Sequence, residues 1–383
     1  MRKRTDLVFP MVEFERRLRE LRQRMAKQEI DLFITTTPEN ICYLTGFESP
    51  GHYYFQALMV PLMGEPVMVP RQLEDSGIEA LTWIELSRPY QDVENPIEKL
   101  RQVLTEFGWA TQRIGIERNC WFFTAVQQEQ LMASCDGATF IDCSGLVEMG
   151  RLIKSEYEID LMRQAARTSE AGMTAGIDAV AAGATENDVA AAMSYAMIKA
   201  GSEWPSIVPF VASGYRGAIG HATWAGRTIE TGDIVMLEIA GCLKRYHAAL
   251  MRTGFVGEPT AEVRHAEKAV KAAAEAMFAT IKAGIPAHEA DAAGRAVIAE
   301  YGGQQASRSA YSIGIALPPD WGEGHILSMQ PQEERLLQPN MTFHMLPWIQ
   351  IPGQGGVSFS ETIRVTEDGC ELLTNFDREL FVK

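Results

Sequence analysis

The stretch GDIVMLEIAGCLKRYHAALMRTGFVGEP, residues 232–259, contains two apolar runs separated by Lys244 and Arg245. This pattern predicts a pair of β-strands over residues 233–258. One carboxylate, Glu238, interrupts the otherwise apolar run 234–240. A buried carboxylate without a partner is unfavourable by several kcal/mol unless it is paired or protonated. The sequence therefore favours a functional role for Glu238 over a purely structural one.

An internal repeat extends this prediction to the surrounding chain. Residues 182–188 (AGATEND) are similar to residues 283–289 (AGIPAHE), which lie 101 residues later. Each segment contains a signal that ends one helix and a signal that begins the next. Thr185 and Asp188 fit a capping box, and Pro286 fits the first turn of a helix. Each repeat leads to a strand pair, at 233–258 and at about 341–366. The repeat predicts two α+β halves.

The N-terminal part of the chain has a different pattern. A helix is predicted over about residues 12–28, and short strands are predicted at 31–35, 57–60 and 113–116. This alternation indicates an α/β domain. A boundary near Gly150 then divides the chain into domains 1–150 and 151–383, and a long amphipathic helix from Ile159 to the stop at Gly183 opens the second domain.

Composition excludes several classes of function. The 383 residues carry a formal net charge of −15, which disfavours a nucleic-acid partner because phosphate binding needs clustered Lys and Arg. No apolar run is long enough to span a bilayer, and the start of the chain lacks a signal-peptide core, so we expect a cytoplasmic protein without a membrane partner. The six cysteines lie far apart and indicate neither disulfides nor a zinc site.

Three segments resemble the creatinase/prolidase superfamily (M24), which includes Xaa-Pro peptidases, methionine aminopeptidases and creatinase. These are NICYLTGF at residues 40–47, RLIKSEYEI at 151–159, and the strand pair beginning with Gly232 and Asp233. The resemblance implies a creatinase-type α/β N-terminal domain followed by an α+β "pita-bread" catalytic domain. In that fold the active site lies between the two curved halves of the catalytic domain.

The resemblance also identifies five positions that carry metal ligands in metal-dependent members. Here those positions hold Glu238, Ala249, Tyr311, Leu346 and Glu361, so only two carboxylates remain. Two divalent ions need several oxygen or nitrogen ligands each. We therefore predict no metal and no other cofactor.

The position of the catalytic histidine in the superfamily is occupied by His221. Creatinase acts without a metal through a His and two Glu. His221 and Glu361 keep two of those positions, but the other Glu falls on Met251 here and Glu238 would have to replace it, so we expect His221, Glu238 and Glu361 to be catalytic. A neutral imidazole transfers protons near pH 7, and two facing carboxyls have pKa values pushed apart. Such a set suits C–N hydrolysis of a cationic amidine carbon better than hydrolysis of an unactivated peptide.

The segments 237–248 and 311–326 most resemble the ectoine hydrolases, metal-free members that open the cyclic amidine ectoine to N-acetyl-diaminobutyrate. This resemblance implies a small zwitterionic substrate and a homodimer. The residues expected to contact the substrate are Arg308, Tyr311, Trp321, Glu323, His325 and His344. In ectoine hydrolases a Glu at the position of Glu238 is thought to act on the amidine carbon.

Three other functions remain open from the sequence. An Xaa-Pro metallopeptidase explains the fold but not Ala249, Tyr311 and Leu346. A creatinase-like amidinohydrolase is compatible with the retained His221 and Glu361. A non-catalytic binding homologue explains the missing ligands but not the retained carboxylates and histidine.

Overall fold

The computed structural model describes residue 2 and residues 4–383. The chain forms two compact units, the first ending at Arg151 and the second running from Leu152 to Lys383. None of the described helices is long and apolar enough to cross a membrane.

The first unit is an α/β domain with one mixed sheet in the order β4-β3-β2-β1-β5-β6. Its helices are α1 Met11–Lys27, α2 Pro38–Thr45, α3 Asp75–Leu81, α4 Pro96–Glu106, α5 Ala125–Ala133 and α6 Glu148–Arg151. Its strands are β1 Leu32–Thr35, β2 Ala57–Pro61, β3 Val67–Val69, β4 Leu86–Ser87, β5 Arg113–Ile116 and β6 Thr139–Asp142. Pairing of β1 with β5 and of β5 with β6 is parallel, whereas β1, β2 and β3 pair antiparallel.

The second unit contains two larger sheets, each with a pair of helices. Its helices are α7 Glu156–Ala179, α8 Glu186–Lys199, α9 Ala261–Thr280 and α10 Ala287–Glu300. The first sheet has the order β17-β9-β8-β7, formed by β7 Phe210–Ser213, β8 Ile234–Leu243, β9 Tyr246–Phe255 and β17 Phe381–Val382. The second has the order β11-β10-β12-β15-β16, formed by β10 Ala310–Ser312, β11 Ser328–Met329, β12 Thr342–Met345, β15 Glu361–Val365 and β16 Cys370–Leu372.

Local sequence explains where these helices begin and how closely they pack. Thr185 caps α8 through reciprocal hydrogen bonds with Asp188, and at the start of α7 the Glu158 carboxylate accepts a hydrogen bond from the backbone N–H of Ser155 at 2.8 Å. The apolar face of α7 packs on β8 and β9, and Gly241 permits this close approach because a Cβ there would overlap with Thr168. The long hairpin β8–β9 is thereby held rigidly beneath α7.

The second half differs in detail from the predicted strand pair at 341–366. β12 does pair antiparallel with β15, but a separate two-stranded hairpin lies between them, formed by β13 Trp348–Ile351 and β14 Gly355–Ser358. Both strands are only four residues long, and the first follows Pro347. The insertion brings Trp348 to the cavity described below.

Candidate active site

A cavity of about 690 Å³ lies within the second unit, lined by residues of both sheets and of the loops that follow them. Its polar lining consists of His221, Glu238, Ser307, Arg308, Tyr311 and Asp320. Its apolar lining includes Ile207, Phe210, Met236, Met251, Pro319, Trp321, Leu346 and Trp348. A cavity of this kind, mostly apolar with a few convergent polar groups, is typical of a small-molecule site.

Glu238 projects into this cavity from the middle of β8. Strand pairing puts it beside Phe210 on β7 and Met251 on β9, both of which also line the cavity. Its side chain is 13% exposed, and its Oε1 lies 3.9 Å from Nδ1 of His344, beyond hydrogen-bond reach. Burial, and then the negative charge of Asp320, raise the pKa of Glu238 to about 8. The carboxyl group is therefore largely protonated at neutral pH.

A hydrogen-bonded row of side chains fixes the hydroxyl group of Tyr311. The indole N–H of Trp321 donates to this hydroxyl oxygen at 2.8 Å, and Nδ1 of His344 lies 2.8 Å from it. Nε2 of His344 lies 2.6 Å from Oγ of Ser360. Burial, and then the charges of Arg308 and Arg252, lower the pKa of His344 to about 3. The imidazole is therefore neutral, with one ring nitrogen donating and the other accepting.

Arg308 supplies positive charge to the same cavity. Its guanidinium lies over the Tyr311 ring, 4.5 Å from the centroid, and donates to Oγ of Ser328 at 3.3 Å. Among the described residues that line the cavity, Arg308 is the one permanent cation. It can bind the carboxylate of a ligand through its remaining N–H groups.

His221 lines the cavity from the exposed segment after β7. Its ring stacks on Phe210 with centroids 5.8 Å apart and an interplanar angle of 24°. Its backbone φ of 79° is unusual for a residue other than glycine. The ring is both exposed and in contact with the cavity, so it can exchange protons with solvent.

Four residues expected at the site, Glu323, His325, His344 and Glu361, are not among those that line the cavity. Glu361 is fully buried and paired with Arg252 at 2.6 Å and Arg378 at 3.4 Å, and it also accepts a hydrogen bond from Thr374. It is not among the lining residues.

Glu323 is also buried outside the cavity lining, with its carboxylate 2.6 Å from the ammonium of Lys154, which is equally buried. His325 is exposed and likewise does not line the cavity. His344 lies behind Tyr311 and contacts the site through it. The charges of Glu361 and Glu323 are neutralised by cationic side chains of the protein. Glu238 has no such partner within hydrogen-bond reach.

Sequence analysis did not single out Asp320. It is an exposed residue that lines the cavity immediately before Trp321, and its Oδ1 accepts a hydrogen bond from the backbone N–H of Gly322 at 3.1 Å. It provides the second carboxylate of the cavity, a role that had been expected of Glu361. The available signal was its place within the segment 311–326.

The five metal-ligand positions of the superfamily do not fit a metal here. Ala249 and Leu346 offer no side-chain donor, and the Tyr311 oxygen is already hydrogen bonded to Trp321 and His344. Glu361 is neutralised by two arginines. Across residues 2 and 4–383, no group of three or more His, Cys, Asp or Glu is arranged to hold a metal ion.

Comparison with known proteins agrees with this fold. Residues 17–153 match the creatinase/prolidase N-terminal domain, and residues 160–367 match metallopeptidase family M24. The chain is 33% identical to an ectoine hydrolase of Halomonas elongata, over 99% of each protein. It is 27% identical to an Xaa-Pro dipeptidase of Pyrococcus horikoshii, over 95% of this chain and 98% of that one.

A crystal structure of an X-Pro aminopeptidase from Thermotoga maritima superposes with a TM-score of 0.84 and 24% identity, covering 96% of this chain and 99% of that one. The predicted fold, an α/β N-terminal domain followed by a pita-bread domain, is confirmed.

Proposed function

The chain belongs to metallopeptidase family M24 and is a hydrolase acting on C–N bonds, and from that membership we propose that it opens a small cyclic amidine, ectoine, without a metal ion. One observation carries this proposal: Glu238, buried in the cavity without an ionic partner within hydrogen-bond reach, faces a site where the metal-ligand positions have lost their donors. The similarity to an ectoine hydrolase over the whole chain supports the choice of substrate.

The charges of the cavity match a zwitterion that carries an amidinium and a carboxylate. Glu238 and Asp320 attract the amidinium, and Arg308 binds the carboxylate. The rings of Phe210 and Trp321 meet edge to face at a centroid distance of 5.4 Å. Together they form an apolar wall against which the ring of the substrate can pack.

The reaction adds one water molecule. The water oxygen ends on the amidine carbon, one C–N bond breaks, and the departing ring nitrogen takes up a proton to give an amine and an acetamide. Glu238 must first lose its own proton. Its carboxylate oxygen then adds to the amidine carbon, the C–N bond breaks, and water displaces Glu238 from that carbon to give the acetamide. A cationic substrate beside it favours the carboxylate, and His221 passes the released proton to solvent.

Tyr311 serves the departing nitrogen. Its hydroxyl is held by Trp321 and His344, so it is already oriented when the substrate arrives and donates a hydrogen bond as the C–N bond breaks. We assign Glu361 to holding Arg252 next to Met251, and Glu323 to anchoring the segment that carries Trp321 through Lys154. His325 is assigned to the rim of the site.

The test is product detection by NMR after incubation with ectoine, creatine and an Xaa-Pro dipeptide, each with and without a chelator. The proposal expects N-acetyl-diaminobutyrate from ectoine at a rate unchanged by chelation. Cleavage of the dipeptide alone, lost with the chelator, would establish an Xaa-Pro dipeptidase instead. Turnover of creatine alone would indicate an amidinohydrolase, and binding without turnover of any compound would indicate a non-catalytic homologue.

The assembly and location predicted from the sequence also stay proposals. A homodimer would appear at twice the 42.5 kDa chain mass in light scattering after size-exclusion chromatography. The cytoplasmic location is tested by fractionation of the cells that produce the protein.

A further inference from the structure

Asp320 does not occupy any of the five metal-ligand positions of the superfamily, yet it lines the cavity of the candidate active site. It lies between Pro319 and Trp321, both of which also line the cavity. The hydrogen bond from the Gly322 N–H fixes its carboxylate. Asp320 is exposed, so an entering ligand can reach its carboxylate, whereas the Glu238 side chain is 13% exposed.

The negative charge of Asp320 has no ionic partner among the described residues. The cation of the cavity, Arg308, is directed instead onto the Tyr311 ring and Ser328. Asp320 therefore offers an unneutralised charge to whatever enters. An ion pair formed there lies against a mostly apolar cavity and is stronger than one on an open surface.

The same charge acts on Glu238. The groups that act on the Glu238 carboxyl are Asp320, His344 at 3.9 Å and the Tyr311 hydroxyl, and Arg308 and His221 line the same cavity. His344 is neutral, so Asp320 supplies the ionic influence on Glu238, and that influence disfavours a second negative charge. A neutral ligand leaves this repulsion in place, whereas a cationic ligand removes it.

We propose that Asp320 is the specificity-determining residue of this site and that it selects substrates carrying a delocalised positive charge, such as amidinium ions, over neutral amides and lactams of the same shape. This inference rests on the proposed function for the identity of the substrate. It concerns which charge state is bound, and it does not require Asp320 to touch the reacting bond.

The experiment compares wild type, Asp320→Asn and Asp320→Glu for binding of two small rings. The probes are a methyl-substituted tetrahydropyrimidinium ion and the neutral lactam piperidone, titrated by NMR. Asp178→Asn is the matched control, because Asp178 is an exposed carboxylate on α7, paired with Lys383 at 3.6 Å and absent from the cavity lining.

Wild type and Asp178→Asn should prefer the cation, and Asp320→Asn should lose about tenfold of that preference, roughly the effect of one ion pair in a partly shielded site. Asp320→Glu should restore most of it. Equal weakening of both rings by Asp320→Asn, or no preference in wild type, would overturn the proposal.

A second readout separates an electrostatic role from a structural one. In protein with 13C-labelled glutamate, the pKa of Glu238 should fall in Asp320→Asn and stay unchanged in Asp178→Asn. An unchanged pKa in Asp320→Asn would also overturn the proposal. Neither readout needs turnover, so failure to open ectoine would refute the proposed substrate while leaving the selectivity of Asp320 to be decided by binding.

Discussion

Replacing Glu238 with Gln should abolish activity and at the same time stabilise the protein at alkaline pH. The pKa of Glu238 rises from 4.5 to about 8 in the folded chain, mainly through burial. The folded state therefore keeps a proton that the unfolded state releases between these two values. Stability from this group is fully present below pH 4.5 and is lost as pH rises towards 8.

The size of the effect follows from the same numbers. Each pH unit between 4.5 and about 8 lowers the free energy of unfolding by about 1.4 kcal/mol, because only the folded state keeps the proton on Glu238. Relative to acid pH, the loss is about 1.4 kcal/mol at pH 5.5 and about 5 kcal/mol at pH 8.5. Gln has nearly the same shape and does not ionise. The Glu238→Gln variant should thus gain about 3.5 kcal/mol more over wild type at pH 8.5 than at pH 5.5.

The assay is urea unfolding of both proteins at these two pH values, with ectoine turnover measured in parallel. Glu361→Gln is the control, since Glu361 is a fully buried carboxylate of the same unit that is paired with Arg252 and Arg378. That change should destabilise the protein by about 3 kcal/mol at both pH values, because it leaves a buried guanidinium without its counter-ion. A gain for Glu238→Gln that is the same at both pH values would refute the reasoning, and so would retention of more than about one tenth of the activity.

Three further predictions concern the rest of the site. Tyr311→Phe should lower kcat for ectoine by about 100-fold with little change in KM in steady-state kinetics, because it removes the donor to the departing nitrogen but leaves the ring that packs under Arg308. An unchanged kcat would exclude this role. Arg308→Lys should raise KM for ectoine by about tenfold, since Lys cannot bind a carboxylate through two parallel hydrogen bonds, and should leave binding of the methyl-substituted tetrahydropyrimidinium ion, which has no carboxylate, unchanged. Equal effects on both compounds would contradict this role. Dialysis against a chelator should leave the rate of ectoine opening unchanged, and recovery of lost activity by added divalent metal would contradict the assignment.

Much of the framework could be read from the sequence because it depends on local patterns. The apolar runs at 232–259 became β8 and β9, and the Thr185–Asp188 capping box begins α8 as expected. The positions lacking metal donors were also evident, since they require only a residue type at a motif position. Glu238 was recognised because a carboxylate in an apolar strand is itself an unusual local pattern.

What could not be predicted depends on residues far apart in the chain. Glu361 meets Arg252 from 109 residues away, and Glu323 meets Lys154 from 169 residues away. No local sequence pattern predicts ion pairs between residues so far apart. Both carboxylates were therefore expected in the cavity. Asp320 was missed for the opposite reason, because its importance comes from lining the same cavity as Glu238, on which its charge acts, rather than from its own neighbours in sequence.

Glu238, Glu323 and Glu361 are neutralised in two different ways, and the difference favours Glu238 as the one that works on a substrate. Glu361 and Glu323 are neutralised by Arg and Lys side chains that are themselves fixed and buried. Such pairs cannot be exchanged for a ligand without leaving a buried cation alone, which costs several kcal/mol. Glu238 is neutralised by a proton, which can leave through His221 once an amidinium arrives to take its place. On the proposed function, a site whose metal-ligand positions lack donors can still bind a cation and react with it, provided that one carboxyl is kept free of permanent partners, and Glu238 meets that condition.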